Sequence, residues 1–290
     1  MPEWCKHSSD EIIGIKMEDE SPPWQSSPPP PEVQLQDLLS KGFVGEFKDY
    51  ERDERLAELV EGKRIAYVCP SPHLIGEGTG NLIDSYDLVA RVNQNRAMLE
   101  SQWNDCGRRT DILFNCVNIL KLNALFSSRN TDYVRDLKFL INPTLSMWDI
   151  ERQEHPLKLM EHYFGIPWQN ISDGHVFKIF KEVGTTVNTG LLGIITLLNY
   201  DIKELYVTGM TFFNMNSFGR VYTDEYHDDA VEFGNFGDTP DKSPTPESLR
   251  MDIHYQEPQI KYFQKIVDHY SDSCLTLDSY LTENFIESRQ

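Results

Sequence analysis

The chain has 290 residues, of which 39% are hydrophobic, and its 46 acidic and 27 basic side chains give a formal charge of −19. This length is sufficient for one large hydrophobic core. The negative charge disfavours nucleic acid and anionic lipid as partners, because both carry charge of the same sign. The sequence contains no run of about 18 apolar residues that would predict a transmembrane helix. It also contains no apolar stretch near the N-terminus that would predict a signal peptide.

The cysteines predict a reducing environment. There are five, an odd number, and no two are spaced as a Cys-x-x-Cys pair. This argues against both a disulfide framework and a structural zinc site. We therefore expect five free thiols and a cytoplasmic protein.

Residues 1–45 are predicted to form a disordered, acidic tail. The stretch 21–32 contains a run of four prolines, which fits neither a helix nor a sheet ladder. A globular domain is predicted over residues 46–290.

Within that domain, strands and helices alternate. Short apolar runs that end at Gly, Pro, Asn or Cys predict strands at 65–68, 88–92, 112–116, 138–141 and 203–209. Helical periodicity and capping residues predict helices at 51–62, 155–165, 187–200 and 258–270. This alternation predicts an α/β fold, a Rossmann-like and mostly parallel sheet flanked by helices in a single globular domain.

In such a sheet, ligands bind beyond the carboxyl ends of the strands. The candidate ligand-binding positions are therefore those that follow the predicted strands or open the apolar helix: 69–74, Asn93, Asn115, Asn142, 184–190 and 209–213.

A glycine-rich segment follows the first predicted strand and contains Gly76, Gly78 and Gly80. The dinucleotide fingerprint requires Gly-x-Gly-x-x-Gly directly after the strand. Here Pro70 and Pro72 intervene and the third glycine comes too early, which disfavours an NAD(P) site. A glycine-rich surface loop is the alternative.

Residues 184–190, with the sequence GTTVNTG, lead into the apolar helix LLGIITLL. Asn188 or Thr189 suits the N-cap position, and Gly190 would let a ligand approach the backbone. The unpaired N–H groups at a helix N-terminus favour a phosphate. An ordinary capped core helix is the alternative.

His254 precedes the last predicted helix, and Glu257 follows it closely enough to orient it. A histidine in this position can act as a general base; a helix-capping histidine beside a solvated glutamate is the alternative. The acidic pairs at 224–225 and 228–229 lack a matching histidine pair, so a solvated acidic loop is favoured over a metal site.

Taken in order, these segments resemble the large, small and very small sialylmotifs of glycosyltransferase family 29, the sialyltransferases. The resemblance is carried by IDSYDLVARVN at 83–93, RTD at 109–111, VNTG at 187–190, LYVTG at 205–209 and His254. It extends over roughly residues 63–265, most of the predicted domain.

The resemblance implies a modified Rossmann-like enzyme of the GT-A type that needs neither metal nor cofactor. Its donor would be CMP-sialic acid or a related CMP-linked 3-deoxy-ulosonic acid such as Kdo, and its acceptor a glycan or glycolipid. The implied donor-binding positions are Ser71, Asn93, Asn188, Thr189, Gly190 and, next to the donor phosphate, His227. The implied general base is His254, with Glu257 beside it.

Four positions depart from the family pattern. Pro70 replaces a donor-binding asparagine, Asn188 a serine, Gln259 a glutamate, and Tyr200 a cysteine that forms a disulfide in the animal enzymes. These departures suggest a divergent, non-secretory member, viral or microbial. They leave open a catalytically degenerate protein that only binds a nucleotide or glycan. Another Rossmann-like transferase, such as a methyltransferase, would be favoured by an acidic residue after the second strand, where Asn93 stands.

Overall fold

The computed structural model describes residues 52–94, 97–115, 125, 131–143, 157–158, 161–162, 164–185, 187–212 and 256–287. The predicted tail and two predicted site residues, His227 and His254, lie outside these ranges.

The described strands form one parallel sheet with the order β5-β4-β3-β2-β1-β6-β7. They are β1 (Arg64–Val68), β2 (Leu88–Val92), β3 (Ile112–Phe114), β4 (Phe139–Asn142), β5 (Trp168–Asn170), β6 (Glu204–Thr208) and β7 (Leu275–Leu277). The predicted α/β class and the parallel sheet are confirmed. All five predicted strands are present, while β5 and β7 were not predicted.

Helices cover both faces of the sheet. They are α1 (Glu54–Val60), α2 (Gly80–Asp84), α3 (Trp103–Cys106), α4 (Thr131–Asp136), α5 (Asp173–Val183), α6 (Thr189–Leu198), α7 (Gln256–Tyr270) and α8 (Ser279–Leu281). Of the helix predicted over 155–165, residues 157, 158, 161, 162 and 164 are described and are helical, while residue 165 is described and is not. No helix in the described part of the chain is long and apolar enough to cross a membrane.

The strands are buried on both faces, as expected for a parallel sheet. Along β1, Ile65 and Tyr67 point into a core formed with α1, α5, α6 and α7, while Ala66 and Val68 point into a second core with α2 and α3. The apolar helix α6 packs directly on the sheet, and its residues from Leu191 to Leu198 are all buried. This packing fixes the position of the α6 N-terminus relative to the strand ends.

Glycine at position 193 permits this close packing. The Tyr67 hydroxyl donates to the Gly190 carbonyl oxygen at 2.9 Å, and a Cβ on Gly193 would overlap that hydroxyl. We expect Gly193→Ala to lower the free energy of unfolding by about 1–3 kcal/mol, the usual effect of overpacking. Gly174→Ala is the matched control, because a methyl group there would contact nothing within 4 Å. Urea denaturation of both variants checks this, and equal stabilities would contradict it.

Candidate functional site

The sheet has a topological switch point between β1 and β6. The chain runs from β1 outward to β5 on one side, and then returns to place β6 and β7 on the other side. In open α/β sheets, helices diverge at such a point and ligands bind in the crevice beyond the carboxyl ends of the strands, which here are those of β1 and β6. Cys69 follows β1 at this edge, Gly209 follows β6 and Asp278 follows β7.

The N-terminus of α6 lies at the same crevice. A Cβ built on Gly190 would stand 3.5 Å from Cys69 Sγ and 3.7 Å from Met210 Cε, one residue beyond β1 and two beyond β6. Asn188 is the N-cap, and its Oδ1 accepts a hydrogen bond from the Leu191 N–H at 2.9 Å. This settles the choice between Asn188 and Thr189 for the cap, and brings the predicted helix N-terminus to the end of the first strand.

Two of the departures from the family pattern contact each other. The backbone N–H of Asn188 donates to Gln259 Oε1 at 3.0 Å, and Gln259 is fully buried in the first turns of α7. A neutral amide oxygen can accept this bond without placing a negative charge in the interior, which a glutamate at this position would do. Gln259 thus joins α7 to the cap of α6.

Asparagines end four neighbouring strands in register. The pairs Val92↔Phe114 and Phe114↔Ile141 align Asn93, Asn115 and Asn142 one residue further on, and Asn142 pairs with Asn170. Asn142 Nδ2 donates to Asn170 Oδ1 at 3.0 Å. Sequence analysis pointed to the first three but missed Asn170, because β5 was not predicted. Amide side chains both donate and accept hydrogen bonds, which suits neutral polar ligand groups such as sugar hydroxyls and nucleobase edges.

Asn93 has an unusual backbone conformation, with φ at +51°. Few residues other than glycine adopt positive φ, although asparagine does so more readily than most, and such residues cluster at functional sites. Phe212, with φ at +48°, is a second case and follows β6 at the other side of the switch point. The backbone beyond both strands thus adopts a conformation that is uncommon for residues other than glycine.

The glycine-rich loop is a structural turn and not a phosphate cradle. The Asp105 carboxylate accepts hydrogen bonds from the N–H groups of Gly76 at 2.9 Å and Gly78 at 3.0 Å. A protein carboxylate therefore takes the place that an anionic ligand would need. The surface-loop alternative is the one that the structure supports.

Much of the string IDSYDLVARVN acts as scaffold. The Asp84 carboxylate accepts from the N–H groups of Arg108 and Arg109 at 3.0–3.1 Å, and Asp87 accepts from the Arg64 N–H at 2.8 Å. The buried Arg91 donates to the Cys106 carbonyl oxygen at 2.7 Å. These side chains hold strand ends and loops in place.

A hydroxyl, an imidazole and a carboxylate form a continuous chain at the switch point. Ser71 Oγ lies 2.9 Å from His73 Nδ1, and His73 Nε2 lies 3.1 Å from Asp278 Oδ2. The same Asp278 oxygen accepts from the Thr208 hydroxyl at 2.7 Å and from the Gly209 N–H at 3.1 Å. Of these residues, Ser71 was predicted as a site residue and His73 lies within the candidate range 69–74 without a predicted role, whereas Asp278 was not predicted. The available signals were a histidine two residues after Ser71 and an aspartate after the short apolar run that forms β7.

The hydrogen bonds to Asp278 determine its charge. Burial alone would raise the pKa of this carboxyl, but hydrogen bonds from His73, the Leu281 N–H and Thr208 outweigh burial and hold the pKa below its usual range. Asp278 is therefore an ionised acceptor at neutral pH.

We expect Asp278→Asn to lower the free energy of unfolding by about 1–3 kcal/mol at neutral pH, because the groups that donate hydrogen bonds to Asp278 lose a charged acceptor. A carboxyl group whose pKa is lower in the folded than in the unfolded protein stabilises the fold at pH values above its unfolded pKa, about 3.9. This stabilisation is lost as the pH falls through the pKa of the folded state. The difference between wild type and variant should therefore shrink below about pH 4. Urea unfolding across pH measures it, with the exposed Asp272→Asn as control. A difference that stays constant down to acid pH would contradict the assignment.

Glu257 lies in the first turn of α7 and is exposed. Its Oε1 pairs with Lys261 Nζ at 2.7 Å, and this hydrogen bond lowers the pKa of the Glu257 carboxyl. His254 and His227 lie outside the described residues, so the orientation of His254 by Glu257 stays a prediction.

Three of the cysteines lie in the described ranges, and Cys69, Cys106 and Cys274 are all free there. Burial raises the pKa of the Cys69 thiol, which keeps it protonated and unreactive. Tyr200, at the position of the family cysteine, is buried and accepts a hydrogen bond from the Asp53 N–H at 3.1 Å. The count of five free thiols stays a prediction, because Cys5 and Cys116 lie outside these ranges.

Neither a protein-family model nor a protein of curated function matches the sequence. Among solved structures, the chain is similar to a mammalian sialyltransferase in complex with Gal-beta-1-3GalNAc-ortho-nitrophenol, with 14% identity and a TM-score of 0.48, over 93% of this chain and 83% of that one. It is also similar to the sialyltransferase CstII from Campylobacter jejuni in complex with CMP-3FNeuAc, with 15% identity and a TM-score of 0.48, over 78% of this chain and 86% of that one. Identities this low leave the function of the chain to be argued from its own residues.

Proposed function

We propose that this chain is a glycosyltransferase that moves sialic acid, or a related acidic sugar such as Kdo, from a CMP-linked donor to a glycan hydroxyl. One observation carries the proposal. Four of the positions that the sialylmotif resemblance assigns to the donor lie along one edge of the sheet around the switch point: Asn93, Asn188, Thr189 and Gly190. A fifth, Ser71, follows β1 at the same edge but is buried, so its side chain supports the loop there and does not contact the donor. The four positions come from segments almost 100 residues apart in sequence, and ligands bind at this edge in open α/β sheets.

The chemistry of the edge fits the two parts of the leaving nucleotide. The donor phosphate would lie at the N-terminus of α6, where backbone N–H groups favour an anion despite the negative charge of the whole chain. The amide of Asn93 would contact a neutral part of the nucleotide, since it can both donate and accept. The same backbone groups would stabilise the CMP phosphate as it departs.

The acceptor would be activated by His254. In a single inverting displacement, this imidazole takes the proton of the acceptor hydroxyl while the oxygen attacks the anomeric carbon and the bond to the CMP phosphate breaks. The sugar ring passes through an oxocarbenium-like state. His254 precedes α7, whose Gln259 contacts the cap of α6, so the proposed base precedes a helix anchored at the proposed phosphate site.

A protein that binds nucleotide or glycan without turnover is the second candidate. The observation that favours it is Glu257, whose exposed carboxylate pairs with Lys261. A methyltransferase-like protein is disfavoured, because β2 is followed by the amide of Asn93 and not by a carboxylate that could hold a ribose.

The test is a donor screen on the purified chain. CMP-sialic acid, CMP-Kdo and a UDP-sugar are incubated with a mixture of glycan acceptors, with and without excess chelator, and nucleotide release is followed. We expect CMP release from one of the two CMP-sugars, undiminished by chelator. Binding of CMP without release would favour the second candidate. Release from the UDP-sugar alone, or activity that chelator abolishes and magnesium or manganese restores, would contradict the proposal.

A further inference from the structure

The hydrogen bonds of Asp278 connect three separate segments at the switch point, and one of them continues through His73 to Ser71. Ser71 and His73 belong to the loop after β1, and His73 is in a short 3₁₀ turn, Pro72–Leu74. Asp278 follows β7 and caps α8, where its Oδ1 accepts from the Leu281 N–H at 2.7 Å. Its other oxygen holds the end of β6 through Thr208. One carboxylate thus joins the ends of β6 and β7 to the loop after β1.

The imidazole of His73 is held through both ring nitrogens and one ring face. Both ring nitrogens have partners, and its ring stacks on Tyr280 with centroids 4.3 Å apart and planes 12° from parallel. The side chains of His73 and Asp278 are only 13% and 10% exposed. Fixing an imidazole through both nitrogens and one face leaves it a single orientation.

The ionised Asp278 also fixes the protons. A carboxylate can only accept, so His73 Nε2 donates to it, and in the neutral imidazole Nδ1 then has no proton. In that neutral form, Nδ1 accepts the hydrogen of the Ser71 hydroxyl, 2.9 Å away. The carboxylate at the end of β7 and the hydroxyl of Ser71 thus contact opposite nitrogens of one imidazole.

The arrangement has the members of a Ser-His-Asp triad, but its burial excludes nucleophilic attack by the serine. Ser71 is 1% exposed, so no carbonyl or phosphoryl group has room to reach its oxygen in this conformation. The remaining role is to hold the loop after β1 in position. That loop begins at Cys69, which lies beside Gly190 at the N-terminus of α6.

We propose that His73, held by Asp278, is a positioning residue for the nucleotide site: it fixes the loop at 69–74 so that the β1 side of the crevice is in place for CMP. This inference rests on the proposed function. It assigns to His73, Asp278 and Tyr280 a role in nucleotide affinity that the sialylmotif positions do not include.

Three substitutions at position 73 separate the contacts. His73→Gln keeps an amide that can reach Asp278 but loses the contact with Ser71, His73→Asn does the reverse, and His73→Phe keeps only a ring against Tyr280. The matched control is His269→Phe, because His269 is exposed near the far end of α7 and packs edge-on against Tyr270. The affinity for CMP is measured by calorimetry at a temperature well below the melting point of every variant.

We expect His73→Phe to weaken CMP binding roughly tenfold, the loss expected from about one misplaced hydrogen-bonding group. His73→Gln and His73→Asn should restore part of the affinity, and His269→Phe should bind like wild type. Adding Ser71→Ala to His73→Phe should not lower the CMP affinity further, because both substitutions interrupt the same series of hydrogen bonds. Folded position-73 variants that bind CMP as tightly as wild type would overturn the inference and leave the proposed function standing. Failure of wild type to bind CMP would overturn both.

Discussion

Replacing His254 with alanine should lower kcat by roughly 10²- to 10⁴-fold, the usual effect of losing a general base. The affinity for CMP should hardly change, because a general base acts on the acceptor hydroxyl and not on the nucleotide. His254 stands two residues before α7 begins at Gln256, and the positive end of a helix dipole favours the neutral imidazole that a base requires. Turnover of a CMP-sugar and calorimetric CMP affinity are measured on the same preparation.

His269→Ala is the control for this substitution, since it removes an exposed imidazole from the opposite end of the same helix. It should retain wild-type turnover. If folded His254→Ala protein keeps near-normal kcat, His254 is a helix cap and the proposed mechanism fails. Glu257→Gln adds a second comparison: a fall in kcat would indicate that Glu257 leaves Lys261 and orients His254 during turnover.

Replacing Asn93 with glycine should weaken CMP binding roughly tenfold, because it removes the amide that we propose contacts the nucleotide. Glycine is the informative substitution because it accepts φ at +51° without strain, so the amide is removed while the backbone can remain. Asn93→Ala removes the same amide but also places a Cβ in the positive-φ region. It should therefore be less stable than Asn93→Gly by about 1 kcal/mol.

Asn199→Gly is the matched control, because Asn199 is the C-cap of α6, at the end of that helix away from the proposed phosphate site. It should leave CMP affinity unchanged. Equal CMP affinities for Asn93→Gly and wild type would remove Asn93 from the donor site and weaken the functional assignment with it.

The strands that could be predicted from sequence are those that supply several consecutive buried side chains. β1 and β2 have at least four buried positions each, so their apolar runs are visible without a structure. β5 and β7 lie at the two edges of the sheet, have three residues each and bury only one of them fully. Three residues with one buried side chain give no pattern that distinguishes a strand from a loop.

The helix α5 was also missed, although a signal was present. Val176, Ile179, Phe180 and Val183 follow the spacing of one helical face, and all four are buried in the core under the sheet. The glycine at position 184, in left-handed conformation, ends this helix. Both features can be read from the sequence.

The positions of the candidate site could be predicted in part. Strand ends in a parallel sheet share one edge, so locating the strands also locates Asn93, Asn115 and Asn142. The pairing of His73 with Asp278 could not be predicted in the same way, because the two residues are 205 positions apart and meet only through the order of β6 and β7. No local pattern in a single sequence encodes that distance.

The residues that carry the sialylmotif resemblance are of two kinds, and only the structure distinguishes them: some hold the scaffold together, and others lie at the candidate site. Asp84, Asp87 and Arg91 bond to backbone groups inside the protein and keep loops in place. Asn93, at the end of the same string, is half-buried at the carboxyl edge with strained backbone. Several residues of this motif therefore stabilise the fold, and their presence by itself does not indicate a ligand.

The most direct test of the central claim is a calorimetric titration of the wild-type chain with CMP, with UMP as the comparison ligand. We expect saturable binding of CMP at a single site, with clearly weaker binding of UMP and with competition by CMP-sialic acid or CMP-Kdo. Absence of binding by CMP and by both CMP-sugars to a folded protein would contradict the proposed function.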